Sequence, residues 1–268
     1  MQPLTILKIG GNVIDYPDLL EPLLDHFTCT GGHKALVHGG GKIASQIMRQ
    51  MGIEPRMVNG RRITDRATLD IVTMVYAGLL NKKMVASLQA RGCNALGLSG
   101  ADANVVPAHK RPATDIDYGF AGDVDAAFIP AKQIEQFISQ GLTPVFAPIT
   151  HDGHGTLLNT NADTIASSVA VAMAPLYDVK LVFCMDKPGV LERPDDDTSV
   201  IPRIDEAGYA DLRARGIISG GMLPKLENAF DALHKGVREV LLCAPGALLA
   251  DDVPYDGFRL AGTSIRLN

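Results

Sequence analysis

Two apolar, β-branched runs near the start of the chain each stop at a cluster of glycines: LTILKIGGN, with Lys8, Gly10 and Gly11, and KALVHGGGK, with Gly39, Gly40 and Gly41. Runs of this kind read as buried parallel strands that feed loops, which commits the chain to an α/β architecture. The glycines let backbone N–H groups come close to an anion, and Lys8 adds a cation near the end of its strand. In open α/β sheets ligands bind beyond the carboxyl ends of the strands, so the two turns can converge on one crevice. Neither turn spells G-x-x-x-x-G-K-[ST] or G-x-G-x-x-G, so neither the usual P-loop nor the dinucleotide fingerprint applies. A tight strand-to-helix turn without a ligand explains either loop equally well by itself.

Further strand-like runs follow at a βα rhythm: ALGLS, TPVFAPI, KLVFCM and EVLLC. Asp70 to Gly92 carries apolar residues at helical spacing and ends in glycine, as a helix C-terminus often does. Its apolar face serves either the core or a dimer contact. From Ala108 to Phe128 the pattern turns polar and glycine-containing, which predicts a β-hairpin or flap. A composition shift at Met173–Val179 divides the 268-residue chain into an N-terminal lobe, 1–176, and a C-terminal lobe, 177–268, within one α/β unit.

A net charge of −5 without a block of Lys or Arg leaves no footprint for nucleic acid or an anionic membrane. Lys8 interrupts the first apolar stretch, and no segment reaches a spanning length without charge, so neither a signal peptide nor a membrane span is expected and a cytoplasmic location follows. Cys29, Cys93, Cys184 and Cys243 are scattered without C-x-x-C, which predicts free, mostly buried thiols. His151 and His154 in DGHG read as a polar hairpin tip rather than a metal site.

Asn159, Asn161 and Asp163 alternate ahead of a small-residue helix. Capping explains one of them; three in alternation also suit a polar ligand or the orientation of lysines. KLVFCMDKPGVL ends a strand in Asp186 and Gly189, and Lys225 follows Gly220 and Gly221 at the opening of another helix, a second glycine-rich turn suited to a nucleotide.

In order along the chain, KIGG (8–11), HGGG (38–41), NGRRIT (59–64), GLSGAD (97–102), NTNAD (159–163), MDKPGVL (185–191) and GGMLPK (220–225) resemble the amino acid kinases, and among them the N-acetyl-L-glutamate kinases of arginine biosynthesis. The resemblance implies a three-layer αβα sandwich on a central, mainly parallel sheet, the carbamate kinase-like fold. Its N-terminal lobe would hold the acyl amino acid and dimerise, and its C-terminal lobe would hold ATP.

By the same resemblance Arg62 pairs with the substrate α-carboxylate, with Asn159, Asn161, Gly40 and Gly41 beside it. Lys8 lies toward the transferred phosphoryl group, Lys225 toward the ATP phosphates, and Asp163 orients both lysines. Backbone N–H groups of Gly10, Gly11 and Gly41 help neutralise the phosphoryl charge; Asp186, Gly189, Gly220 and Gly221 serve the nucleotide. Mg2+ is expected on the ATP phosphates, with no protein ligand named. The implied reaction makes an acyl phosphate from a carboxylate already ionised at neutral pH, so a catalytic base is unnecessary.

Arg61 beside Arg62 departs from the pattern, and an extra cation there suits a larger acidic acyl group such as succinyl. The start of the chain just before the first strand suggests an arginine-insensitive homodimer. Two alternatives stand: another kinase of the superfamily, and a non-catalytic nucleotide- or amino-acid-binding regulator on the same fold.

Overall fold

Residues in the first strand alternate between two buried faces, and that alternation organises the molecule. Leu4 and Ile6 face one core cluster, while Leu7 and Ile9 face another. Successive strand side chains point to opposite sides, so a central strand of a sheet covered on both faces must be apolar at nearly every position. Lys8 breaks that rule on the Leu4–Ile6 face.

The computed structural model describes residues 1–218, 222–246 and 262–267. In chain order its first half contains β1 (Pro3–Ile9), α1 (Gly11–Ile14), α2 (Pro17–Cys29), β2 (His33–His38), α3 (Gly41–Gln50), β3 (Met57–Val58), β4 (Arg61–Arg62), α4 (Arg66–Thr73), α5 (Asn81–Ala90), β5 (Ala95–Leu98), β6 (His109–Lys110) and β7 (Ala121–Asp123). There follow α6 (Ala131–Ser139), β8 (Thr143–Phe146), β9 (Ile149–His151), β10 (Leu157–Thr160), α7 (Ala162–Met173), β11 (Asp178–Cys184), β12 (Arg203–Ile204), α8 (Glu206–Ala214), α9 (Met222–His234), β13 (Glu239–Cys243) and β14 (Thr263–Ile265).

Eight strands form the main sheet in the order β12-β14-β13-β11-β1-β2-β8-β5, parallel throughout except where β13 meets β14. Helices cover both faces, giving the expected three-layer αβα sandwich. On one face Leu4, Ile6, Leu181 and Phe183 pack with Val169 of α7 and Phe230 of α9. On the other, Leu7, Ile9 and Val182 pack with Phe27 of α2 and Leu88 of α5. Within this sheet β1, β2, β5 and β8 lie to one side of the β1–β11 junction, and β11, β12, β13 and β14 lie to the other.

The hairpin expected between Ala108 and Phe128 is present as β6 and β7, and it joins β10 and β9 in a separate four-stranded sheet. DGHG forms the tip between β9 and β10, where Asp152 accepts from the backbone N–H groups of His154 and Thr156. The expected helix over 70–92 is continuous but not uniformly α: Met74–Leu80 is a π-helical turn between α4 and α5. It ends at Gly92, whose φ of +74° suits glycine. All four cysteines are free, with Cys29 alone exposed. No helix among the described residues is long and apolar enough to cross a membrane.

Candidate active site

The carboxyl ends of β2, β1 and β11 lie side by side, and two glycine loops leave from the first two. Gly39 N–H donates to Ile9 and Gly10 N–H donates to Cys184, each at 3.0 Å, so the loops continue the sheet's backbone bonding for one step beyond the strands. A Cβ on Gly11 would stand 3.8 Å from the nitrogens of both Gly40 and Gly41, so the two glycine loops come together there. Gly40 has φ +142°, and a Cβ there would meet Leu80 Cδ1 at 2.2 Å, so both backbone and packing demand glycine.

Strand register places the charges. Lys8 stands opposite Phe183 and Val37 on the face covered by α7 and α9, and those two helices supply the other two members of a charged cluster. Lys8 Nζ lies 2.7 Å from Asp163 Oδ1, and Lys225 Nζ lies 2.8 Å from Asp163 Oδ2. Asp163 occupies the first turn of α7 and Lys225 the first turn of α9, over the ring of Phe183. Burial pushes the Asp163 carboxyl up, but the two lysines outweigh it and hold the group down to about 2. Two cations held by one anion leave the cluster with a net positive charge.

A different device builds the other end of the cleft. Asn59 and Gly60 have φ of +49° and +74°, the conformation of a tight hairpin turn, and they join β3 to β4. Arg61 and Arg62 are neighbours in β4, so they point in opposite directions. Arg61 is exposed, whereas Arg62 is 7% exposed. The Arg62 guanidinium donates to the Gly41 carbonyl at 2.9 Å, to Ser45 Oγ at 2.8 Å and to Met48 Sδ at 3.3 Å. No carboxylate pairs with it among the described residues. Tyr76 stands beside it; burial raises the Tyr76 phenol above its usual range, with Arg62 pulling the other way.

Arg62, Lys8 and Asp163 line one cleft of about 230 Å³ together with Gly11, Gly40, Gly41, Asn159 and Asn161. Asn159 donates to Thr64 Oγ1 at 3.0 Å, tying β10 to the segment two residues beyond Arg62 and the end of β4. Asn161 is the N-cap of α7, accepting from Asp163 and Thr164, so capping occupies its Oδ1 and Asp163 is free of that duty. A second cleft opens from the first, sharing Lys8, Gly11, Gly41 and Arg62 and adding Gly10, Lys42, Asp186 and Lys225.

At Gly189 a Cβ would meet Thr263 Oγ1 at 2.7 Å and Val200 Cγ1 at 2.9 Å, so packing against β14 by itself requires glycine there. Gly220 and Gly221 lie outside the described residues. Sequence reasoning missed Ser45, Met48 and Tyr76, whose roles depend on helix faces turned toward β4; the period of α3 carries a weak signal for the first two.

Residues 3–244 match the amino acid kinase family. An acetylglutamate kinase of Bacteroides thetaiotaomicron is 53% identical over 92% of this chain and 95% of its own length. An acetylglutamate kinase of Azobacteroides pseudotrichonymphae is 44% identical over the whole of both chains. Among solved structures, the smu.665 protein of Streptococcus mutans is 27% identical with a TM-score of 0.74, covering 98% of each chain. Carbamate kinase from Giardia lamblia bound to AMP-PNP shares the fold at 14% identity, with a TM-score of 0.66 over 99% of this chain and 98% of that one. With seven motifs in order, one continuous sheet and a family match across nearly its full length, this chain belongs to the amino acid kinase family.

Proposed function

We propose that this protein is an acetylglutamate kinase, transferring the γ-phosphoryl group of ATP to the side-chain carboxylate of N-acetyl-L-glutamate in arginine biosynthesis. The single observation that carries the reading is the pairing of a buried Arg62, which meets no carboxylate among the described residues, at one end of a cleft with the Lys8–Asp163–Lys225 cluster at the other. A guanidinium recognises a carboxylate through two parallel hydrogen bonds, and relatives named acetylglutamate kinase match nearly the whole chain.

In this reading Arg62, Asn159 and Asn161 hold the α-carboxylate end, leaving the side-chain carboxylate near Lys8. That carboxylate is ionised at neutral pH, so it attacks without a base. One oxygen forms a bond to the γ-phosphorus while the bond to the bridging oxygen of ADP breaks, and that oxygen keeps the electron pair. Two anions must meet, so the residues contribute position and positive charge. Lys8 and the N–H groups of Gly11 and Gly41 face the moving phosphoryl group, while Lys225 faces the leaving side. Asp163 keeps both ammonium groups in place at a small cost in net charge.

The donor set of the second cleft suits a nucleotide that brings its own cation. Lysines and glycines line it, Asp163 has both oxygens on lysines, and Asp186 is the carboxylate on its wall among the described residues. Mg2+, when bound, neutralises the phosphate oxygens of the nucleotide. We assign the acyl substrate to the lobe of residues 1–176 and the nucleotide to 177–268, and a cytoplasmic homodimer as the working form. Met74 and Leu79 expose apolar side chains that suit such a contact, and mass in solution tests it.

Hydroxylamine trapping of the acyl phosphate tests the reaction, with N-acetylglutamate, N-succinylglutamate and free glutamate compared. Strong signal with the acetyl substrate is expected. A preference for the succinyl compound would redirect attention to Arg61, which lines the same cleft. No signal with any of them, from protein that still binds ATP, would favour a non-catalytic regulator.

A further inference from the structure

A chain of polar groups runs from the long helix to the second glycine loop behind the first cleft, ending at Gly39 in its wall. His38 is the last residue of β2 and wholly buried, and Asn81, the first residue of α5, is 1% exposed. The His38 Nδ1–H donates to the Gly39 carbonyl at 2.9 Å. His38 Nε2 accepts from Asn81 Nδ2 at 3.2 Å, and that amide nitrogen also donates to the Val145 carbonyl at 2.9 Å. Asn81 Oδ1 accepts from Lys82 Nζ, which also donates to the Gly97 carbonyl, each at 3.2 Å.

Each partner admits one assignment. Carbonyls at Gly39 and Val145 can only accept, and the Lys82 ammonium can only donate, so the Asn81 amide has one orientation and His38 one tautomer. Burial draws the imidazole down to about 4, against the pull of its hydrogen bond to Gly39 and with the nearby Lys82 acting in the same direction. The ring is therefore neutral across the physiological range.

The Gly39 carbonyl and the Gly40 N–H belong to one planar trans peptide and point opposite ways. Fixing the carbonyl toward His38 turns the N–H away from it, and the Gly40 nitrogen lies on the Gly11 side of the loop, 3.8 Å from where a Gly11 Cβ would stand. Glycine at 40 cannot set this orientation by its own preference, because it tolerates many. The π-helical turn contributes from the far side: Tyr76 and Leu80 pack against Gly40, and the turn delivers Asn81 to His38 one residue further on. A π-turn shifts side-chain register relative to an α-helix, and such turns recur at functional sites.

We propose that His38, held by Asn81, is a positioning residue that locks the Gly39–Gly40 peptide so that the Gly40 N–H faces the transferred phosphoryl group. The inference rests on the reading of the cleft as a phosphoryl-transfer site. His38 reaches no substrate itself; it makes a flexible loop a fixed donor, and a fixed donor stabilises developing charge without reorganising.

Three substitutions in the full-length protein test this. His38→Asn keeps an amide donor near the Nδ1 position, His38→Gln keeps one near Nε2, and His38→Leu keeps neither. His38→Leu and His38→Gln should lower kcat about 100-fold, and His38→Asn about tenfold or less, with KM for both substrates within about threefold of wild type. Equal losses in the Asn and Gln variants, losses carried by KM, or kcat near wild type in all three would overturn it. If His38→Leu does not fold, the Asn and Gln pair decides.

Ring-nitrogen NMR of the wild type supplies a readout independent of substrate. A neutral Nδ1–H ring at pH 7 supports the proposal, and an Nε2–H ring or an imidazolium defeats it whatever the activity. Wild-type protein that makes no acyl phosphate would defeat the proposed function instead, and the ring signal would still decide between a locked and an unlocked loop.

Discussion

The two ends of the cleft hold positive charge in opposite ways. At the Lys8 end two ammonium groups share one carboxylate, so the charges are neutralised in part and fixed in place before any ligand arrives. At the Arg62 end a guanidinium is buried on neutral acceptors, a carbonyl, a hydroxyl and a thioether, with no anion among the described residues. Burying an unpaired charge is costly, whereas a paired one costs less. In the function proposed above, the first arrangement would meet charge that moves during the reaction, and the second a fixed anion that completes it.

The sharpest break of this comparison is Lys8→Ala. It should lower kcat on the order of 1,000-fold while KM for N-acetylglutamate changes little, measured by hydroxamate formation. Asp163→Asn follows, with kcat down about 100-fold, because the neutral amide no longer holds two lysines that repel each other. The same group sets an acid limit in the wild type. Its carboxyl is depressed from 3.8 to about 2, so the stability it contributes is fully present above pH 3.8 and is lost as pH falls through about 2. Acid unfolding of Asp163→Asn should lack that contribution.

Arg62→Lys moves to the other end, and its signature should be inverted: KM for N-acetylglutamate up about 30-fold with kcat largely kept, because the charge remains but the fork is gone. A loss in kcat equal to that of Lys8→Ala would erase the distinction between the ends. The smallest effect belongs to Arg61→Leu, which should change kcat/KM for the acetyl substrate by less than about threefold, as expected for an exposed side chain. Any large shift in the ratio of succinyl to acetyl substrate would make Arg61 a selector.

Much of this contrast was written in local sequence, and some of it was not. The runs ending in KIGG and HGGG announced strands and glycine loops because alternation and glycine chemistry are local. Arg62 was singled out only through resemblance, because which of two neighbouring arginines faces inward depends on contacts with α3. The meeting of Lys8, Asp163 and Lys225 was legible only through resemblance, since it depends on the register of β1 and on two helices remote in sequence. The π-turn at Met74–Leu80 was invisible, because a helical period fitted over the whole segment hides a one-residue slip. At Gly189 the packing against Thr263 could not be read, because a glycine needed for packing looks the same in sequence as one needed for a phosphate.

The junction of β1 with β11 pairs seven residues in parallel register, from Pro3 with Asp178 to Ile9 with Cys184. It is therefore a ruler. Neighbouring strands stand about 4.8 Å apart, so the loop after β2, the loop after β1 and the turn after β11, which the proposed function gives to acceptor, phosphoryl group and nucleotide, are graduations on one scale fixed by backbone hydrogen bonds. Side chains can change which acid or which nucleotide is held, but the span across which the phosphoryl group travels is written into the spacing of the sheet.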